Sequence, residues 1–241
     1  MKKIIAIAAF IAFSLNMNAQ WWGGTKVKGD GKVITESREL GDYDGVSCAG
    51  SMKVILVSGD EGRVSIKADA NLMEYIETEI EDGDLNIKIK KGYSVNPSEG
   101  KIVVTVPVTE ISSLSLAGSG DIESTTVLNA DNFKISVAGS GNLKAGIKAE
   151  VVKTSLAGSG NIDIKGSAGE MKLSVAGSGN FNGTDMKVTH VTASIAGSGN
   201  AKVHCDGSIK ARIAGSGNLK YSGNPEIEDT KTIGSGKIIK I

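Results

Sequence analysis

The chain has 241 residues, 27 lysines and arginines against 27 aspartates and glutamates, 4 % aromatic residues and 32 glycines. Balanced charge leaves no basic field for a nucleic-acid backbone, which excludes nucleic acid as a partner. So few aromatics leave the core to small aliphatic side chains and offer sugars little to stack on.

Residues 1–20 read as a secretory signal peptide. Lys2 and Lys3 form the charged region, and Ile4 to Leu15 is an apolar stretch shorter than the ~20 residues a membrane-spanning helix needs. Cleavage is expected near Ala19 or Gln20, with no cysteine there for a lipid anchor. Losing Lys2 and Lys3 leaves 25 basic against 27 acidic residues, a net charge of about −2. No later segment is apolar enough to cross a membrane. The expectation is an exported chain, periplasmic or at the cell surface. Residues 21–30, with Trp21 and Trp22, read as a flexible start to the mature chain.

Residues 31–110 are β-rich but irregular. Val64–Ala68 and Leu85–Ile89 alternate apolar and polar residues, the pattern of a half-buried strand, and Asp82-Gly83 marks a tight turn. Asn71–Ile76 fits one helical turn. Tyr93–Gly100, with Pro97, reads as a loop, and Lys101–Val106 as a strand. No linker separates this part from residues 111–241, so 31–241 is expected to be one domain.

From Ala117 onward a corner motif, Ala-Gly-Ser-Gly-Asn, recurs. Its copies start at Ala117, Ala138, Ala157, Ala176, Ala196 and Ala214, with a decayed one at Ile233, at intervals of 21, 19, 19, 20, 18 and 19 residues. A constant period near this length predicts an all-β, single-stranded β-helix or solenoid of about 19 residues per coil. Before each corner the inward positions alternate, as in Phe133, Ile135 and Val137 or Met171, Leu173 and Val175. The corner glycines (Gly118, Gly120, Gly139, Gly141, Gly158, Gly160, Gly177, Gly179, Gly197, Gly199, Gly215 and Gly217) are expected to permit positive φ and close stacking. Asn142, Asn161, Asn180, Asn200 and Asn218 should form a coil-to-coil amide ladder. Val46–Val54 aligns as an early coil, with Cys48 in the position that Leu116 occupies. Cys205 belongs several coils away, so the two cysteines should stay reduced and buried.

These residues resemble a known family. Asp42-Tyr-Asp-Gly-Val46 leading into Ala49–Val57, Gly59–Gly62, Asn71–Ile76 before Asp82–Leu85, and the run of Ala-Gly-Ser-Gly corners are similar to the putative auto-transporter adhesin, head GIN domain family, over roughly residues 30–241. The resemblance implies a right-handed β-helix-like fold and a role in adhesion at the cell envelope. It brings no catalytic residues, and no translocator barrel is evident.

Other chemistry fits poorly. A calcium-binding β-roll needs a nine-residue period with acidic corners, whereas only Asp121 is acidic at a corner here. His190 and His204 fall at different coil positions, which suits surface residues better than metal ligands. No cofactor is implied. A carbohydrate-active enzyme on this scaffold needs clustered carboxylates, but the outward positions after the corners are mixed (Glu123, Lys144, Asp163, Asn182, Lys202, Lys220). The ordered surface feature is a lysine column, Lys134, Lys153, Lys172 and Lys210, beside a column of serines. It reads either as solubilisation of an exposed sheet or as a binding array for an envelope or host glycan, lipopolysaccharide or another surface protein. The favoured function is a non-catalytic envelope protein presenting a β-helical face for adhesion. The alternatives are a carbohydrate-active enzyme and a structural or envelope-stress accessory module.

Overall fold

The computed structural model describes residues 24–241. The expected signal peptide and the two tryptophans lie outside the described residues. Among the described residues eighteen strands and one 3-10 turn follow in order. The irregular part contains β1 (Thr25–Lys28), β2 (Val33–Glu39), β3 (Gly45–Gly50), β4 (Lys53–Ser58), β5 (Arg63–Asp69), β6 (Ile76–Glu81), β7 (Asp84–Ile89), β8 (Tyr93–Asn96) and β9 (Val103–Val108). The repeats supply β10 (Ser113–Gly118), β11 (Asp121–Gly139), β12 (Asn142–Gly158), β13 (Asn161–Gly177), β14 (Asn180–Gly197), β15 (Asn200–Gly215), β16 (Asn218–Ser222), β17 (Glu226–Ile233) and β18 (Lys237–Lys240).

The repeats stack as parallel coils in a solenoid of about 7 turns. A full coil is a single long strand interrupted at its corner. The 17 residues of β12 would span roughly 55 Å if straight. Yet Gly139 pairs with Gly158 one coil later, so the strand must bend back on itself. The ladder loses register between Glu123 and Val127, between Asp163 and Gly166, between Gly183 and Lys187, between Val188 and His190, and between Ile209 and Lys210. Through the strand that leads into each corner of β11 to β15 register holds: Ile135, Thr154, Leu173, Ala193 and Ala211 are successive ladder neighbours, all buried. Burying such columns at about 25 cal/mol per Å² drives the stack.

The two glycines of each corner serve different ends. The first has positive φ, from 110° at Gly177 to 125° at Gly215. The second does not, contrary to the sequence expectation. A Cβ on Gly179 would lie 2.6 Å from the carbonyl oxygen of Gly160 and 2.9 Å from Leu156 Cδ2. Close approach of coils, not backbone handedness, demands glycine there. The asparagine ladder forms beside the corners, each amide donating to the preceding side chain: Asn142 to Asp121 (2.9 Å), Asn161 to Asn142 (2.8 Å), Asn180 to Asn161 (3.1 Å), Asn200 to Asn180 (3.3 Å) and Asn218 to Asn200 (3.0 Å).

Order along the chain and order in space differ at the N-terminal end. The coil of β3 and β4 pairs directly with β10 and β11, Cys48 opposite Leu116, although more than fifty residues intervene. Those residues form the next coil outward, with β7 on β3 and β9 on β4. Antiparallel strands finish the stack, β6 on β7 and β2 on β5. Asp82 and Gly83, both at positive φ, make the β6–β7 hairpin turn. The expected helical turn is a 3-10 segment, Ala70–Tyr75. Two segments are more ordered than their composition indicates. Tyr93–Asn96, read as loop, is β8, and Thr25–Lys28, placed in the flexible start, is its parallel partner β1. Asp69 ties this cap together, accepting from the backbone of Gly31 (2.9 Å) and Ser98 (3.0 Å) and from the Ser98 hydroxyl. The Ser98 hydroxyl, then its backbone N–H, holds the carboxyl below its ordinary 3.8 against the opposing effect of burial.

Candidate binding face

The strand leading into each corner sends alternate residues outward, and strict register turns them into columns. One column reads Ser113, Lys134, Lys153, Lys172, Thr192, Lys210, Asp229. The next reads Ser47, Ser115, Ser136, Ser155, Ser174, Ser194, Arg212, Lys231. A third, at the corner itself, is alanine up to Ala214 and ends in Ile233.

Lys134, Lys153 and Lys172 are therefore direct ladder neighbours at the ~4.8 Å strand spacing. Thr192 interrupts the run before Lys210. Like charges directly opposite across a ladder are unfavourable. Lys172 offsets part of this with Glu170, 3.1 Å away on its own strand. The residues of the column upstream of Lys134 and Lys153 are Asn132 and Val151, which carry no charge. Between the lysine and serine columns runs a shallow groove of about 370 Å³, lined by Lys134, Lys153, Lys172, Ser155, Ser174, Thr192 and Ser194. Its walls are largely aliphatic, as expected of lysine stems lying along a sheet with their ammonium groups in water. A larger groove of about 570 Å³ lies towards the other end of the same strands, where Glu110, Asp131 and Glu150 meet Lys148.

The histidines and cysteines do not line the lysine groove, although His190 stands in the outward column beside it, opposite Glu170. His190 Nδ1 lies 2.9 Å from Ser208 Oγ, and His204 bridges Ser222 Oγ (2.9 Å) and Asp206 Oδ2 (3.1 Å). Their signal in the sequence is a serine 18 residues after each histidine, one coil on. The two histidine–serine pairs link successive coils and line none of the grooves described. Among the described residues no three His, Cys, Asp or Glu side chains gather as a metal site. Cys48 and Cys205 are free and buried, several coils apart. Burial, then the charge of Asp121, pushes the Cys48 thiol up to about 12; burial also raises Cys205.

The sequence profile of the putative auto-transporter adhesin, head GIN domain, matches residues 42–225. The chain belongs to this family. Solved structures agree with its architecture. A putative lipid binding protein from Parabacteroides distasonis is 28 % identical over 90 % of this chain and 100 % of its own, with a TM-score of 0.76. A putative adhesin from Bacteroides fragilis is 24 % identical over 89 % of this chain and 100 % of its own, with a TM-score of 0.81. Another, from Parabacteroides merdae, is 24 % identical over 90 % and 99 %, with a TM-score of 0.72. At that identity the two adhesins bear on the fold alone. No curated protein matches. Among the described residues no helix is long and apolar enough to cross a membrane.

Proposed function

We propose that this head GIN domain protein is exported to the periplasm or cell surface and uses its lysine–serine face, without catalysis, to hold an anionic polymer of the envelope or of a host surface. One observation carries the reading: Lys134, Lys153 and Lys172 stack as consecutive ladder neighbours, with uncharged residues upstream of the first two. A polyanion laid along the solenoid axis relieves that repulsion and meets a cation at each coil. Each contact is weak in salt, so binding grows with the number of coils engaged and fades as ionic strength rises.

The aliphatic groove beside the lysine stems and the name of the 28 % identical relative, a putative lipid binding protein, favour lipopolysaccharide. It offers phosphates to the lysines and acyl chains to the groove. The test is titration of the purified protein with lipopolysaccharide and with an acidic polysaccharide, at low and high salt. Wild type should bind at low salt, and Lys153→Glu with Lys172→Glu should bind much more weakly at unchanged far-UV circular dichroism. Equal binding by the charge-reversed variant would reject the face. Binding of lipopolysaccharide but not of the polysaccharide selects the lipid reading.

A further inference from the structure

The lysine run has a break and a built-in anion, and the same histidine adjoins both. Thr192 interrupts the run between Lys172 and Lys210, and Lys172 is ion-paired with Glu170 at 3.1 Å. His190, exposed, lies two residues before Thr192 on β14, one outward column away at ~7 Å. Its column reads Asn132, Val151, Glu170, His190, Ser208, Glu226, so Glu170 is its direct ladder neighbour. On the opposite side Nδ1 lies 2.9 Å from Ser208 Oγ. The charged groups around the ring are Glu170 and Lys172 on β13, Asp206 and Lys210 on β15, Glu226 one coil further on β17, and Lys187 on its own strand. Asp206 is hydrogen-bonded to His204, while Lys172 and Lys210 belong to the neighbouring column. Glu170 is thus the anion in direct register with His190.

We propose that His190 is a proton switch for the lysine face, so that the protein holds a polyanion more tightly in a mildly acidic medium than at neutral pH; this rests on the binding face proposed above. A histidine side chain changes charge between about pH 8 and pH 5. With His190 neutral, Glu170 serves Lys172 alone and the cation run is broken at Thr192. Protonation does two things. Glu170 becomes shared between Lys172 and a second cation one ladder step away, at ~4.8 Å, which returns part of the Lys172 charge to the ligand. The new charge also stands beside Thr192, so that Lys134, Lys153, Lys172, His190 and Lys210 supply a cation on every coil from β11 to β15. Both nitrogens of an imidazolium donate, so Nδ1 can stay with Ser208 while Nε2 serves Glu170 or the ligand. By linkage, a bound polyanion draws a proton onto His190 in return.

Calorimetric titration with dextran sulfate tests the idea, because the sulfates keep their charge across this range. It is run at one low ionic strength, at about pH 7.5 and about pH 5.5, with far-UV circular dichroism of every variant as the check on folding. Wild type should bind several-fold more tightly at the lower pH. His190→Gln should match wild type at the higher pH and gain little on acidification, whereas His204→Gln should keep the full gain. Glu170→Gln should bind more tightly than wild type at the higher pH, because Lys172 is then released without a proton. Equal wild-type affinity at the two pH values overturns the switch, as does a His190→Gln variant that keeps the gain or a Glu170→Gln variant no tighter than wild type. In those cases the lysine face itself stands if Lys153→Glu with Lys172→Glu still weakens binding. Absence of binding at both pH values rejects the face and the switch together.

Discussion

Replacing Gly179 with alanine should cost this protein about 2–3 kcal/mol. The new Cβ would sit 2.6 Å from the Gly160 oxygen, a backbone atom that cannot swing aside as a side chain does. Reaching an ordinary contact near 3.4 Å requires a shift of about 0.8 Å between the two coils. That same oxygen accepts from Asn180 N at 3.0 Å, and the adjoining Ser178 and Gly179 amides donate to Gly158 O at 2.8 and 2.9 Å. The shift takes the first bond out of range and stretches the others. At about 1 kcal/mol per hydrogen bond the three account for ~3 kcal/mol. Crowding of Leu156 Cδ2 at 2.9 Å adds to this, and the stiffer unfolded chain returns ~0.4–1 kcal/mol. Ser178→Ala changes only an exposed side chain and is the control. Urea denaturation followed by far-UV circular dichroism gives both values. Loss of less than about 0.5 kcal/mol for the glycine variant would refute the argument, because it would mean that adjacent corners can separate freely.

Three further outcomes follow from buried groups. The Thr154 hydroxyl is buried without a hydrogen-bond partner between Ile135 and Leu173, so Thr154→Val should stabilise the fold by roughly 1–2 kcal/mol in the same assay. The Cys48 thiol, held up at about 12, and the raised Cys205 thiol should resist alkylation of the native protein at mildly alkaline pH, and mass spectrometry should show two modified thiols once denaturant is added. The lowered carboxyl of Asp69 contributes stability that is present above its ordinary 3.8 and is lost as pH falls through the lower folded value; wild type and Asp69→Asn should therefore converge in stability under acid and diverge towards neutrality, as read by urea midpoints across pH.

Repetition made most of the fold legible. Each inward position is sampled once per coil, so the alternation of Phe133, Ile135 and Val137 is checked by Met171, Leu173 and Val175, and the ladder follows by counting. Cys48 could be set opposite Leu116 for the same reason, despite the long excursion between them. The excursion resisted reading because its strands appear once each, and nothing in Leu85–Ile89 says that it lies outside β3 rather than between β3 and β10. Tyr93–Asn96 was missed because a lone four-residue strand depends on its partner, Thr25–Lys28, which a local pattern cannot supply. The different roles of the two corner glycines were also hidden: both read as turn residues, and only the stacked geometry shows that the second is set by the Gly160 type of carbonyl. The lysine column was visible as residue types at fixed spacing, but its groove depends on how the stems lie.

The asparagine ladder bears on how such a chain can change length. Every amide in it donates backwards and accepts from the coil ahead, so any interior member is interchangeable with any other. Only the two ends need special partners: Asp121, which itself takes an ion pair from Lys101, and the backbone N–H of Lys237, which donates to Asn218 at 3.1 Å. Duplicating or deleting a whole coil between them leaves no donor or acceptor stranded. The number of turns, and with it the reach of the exposed face, is thus free to vary by recombination between repeats while the terminal structures stay as they are.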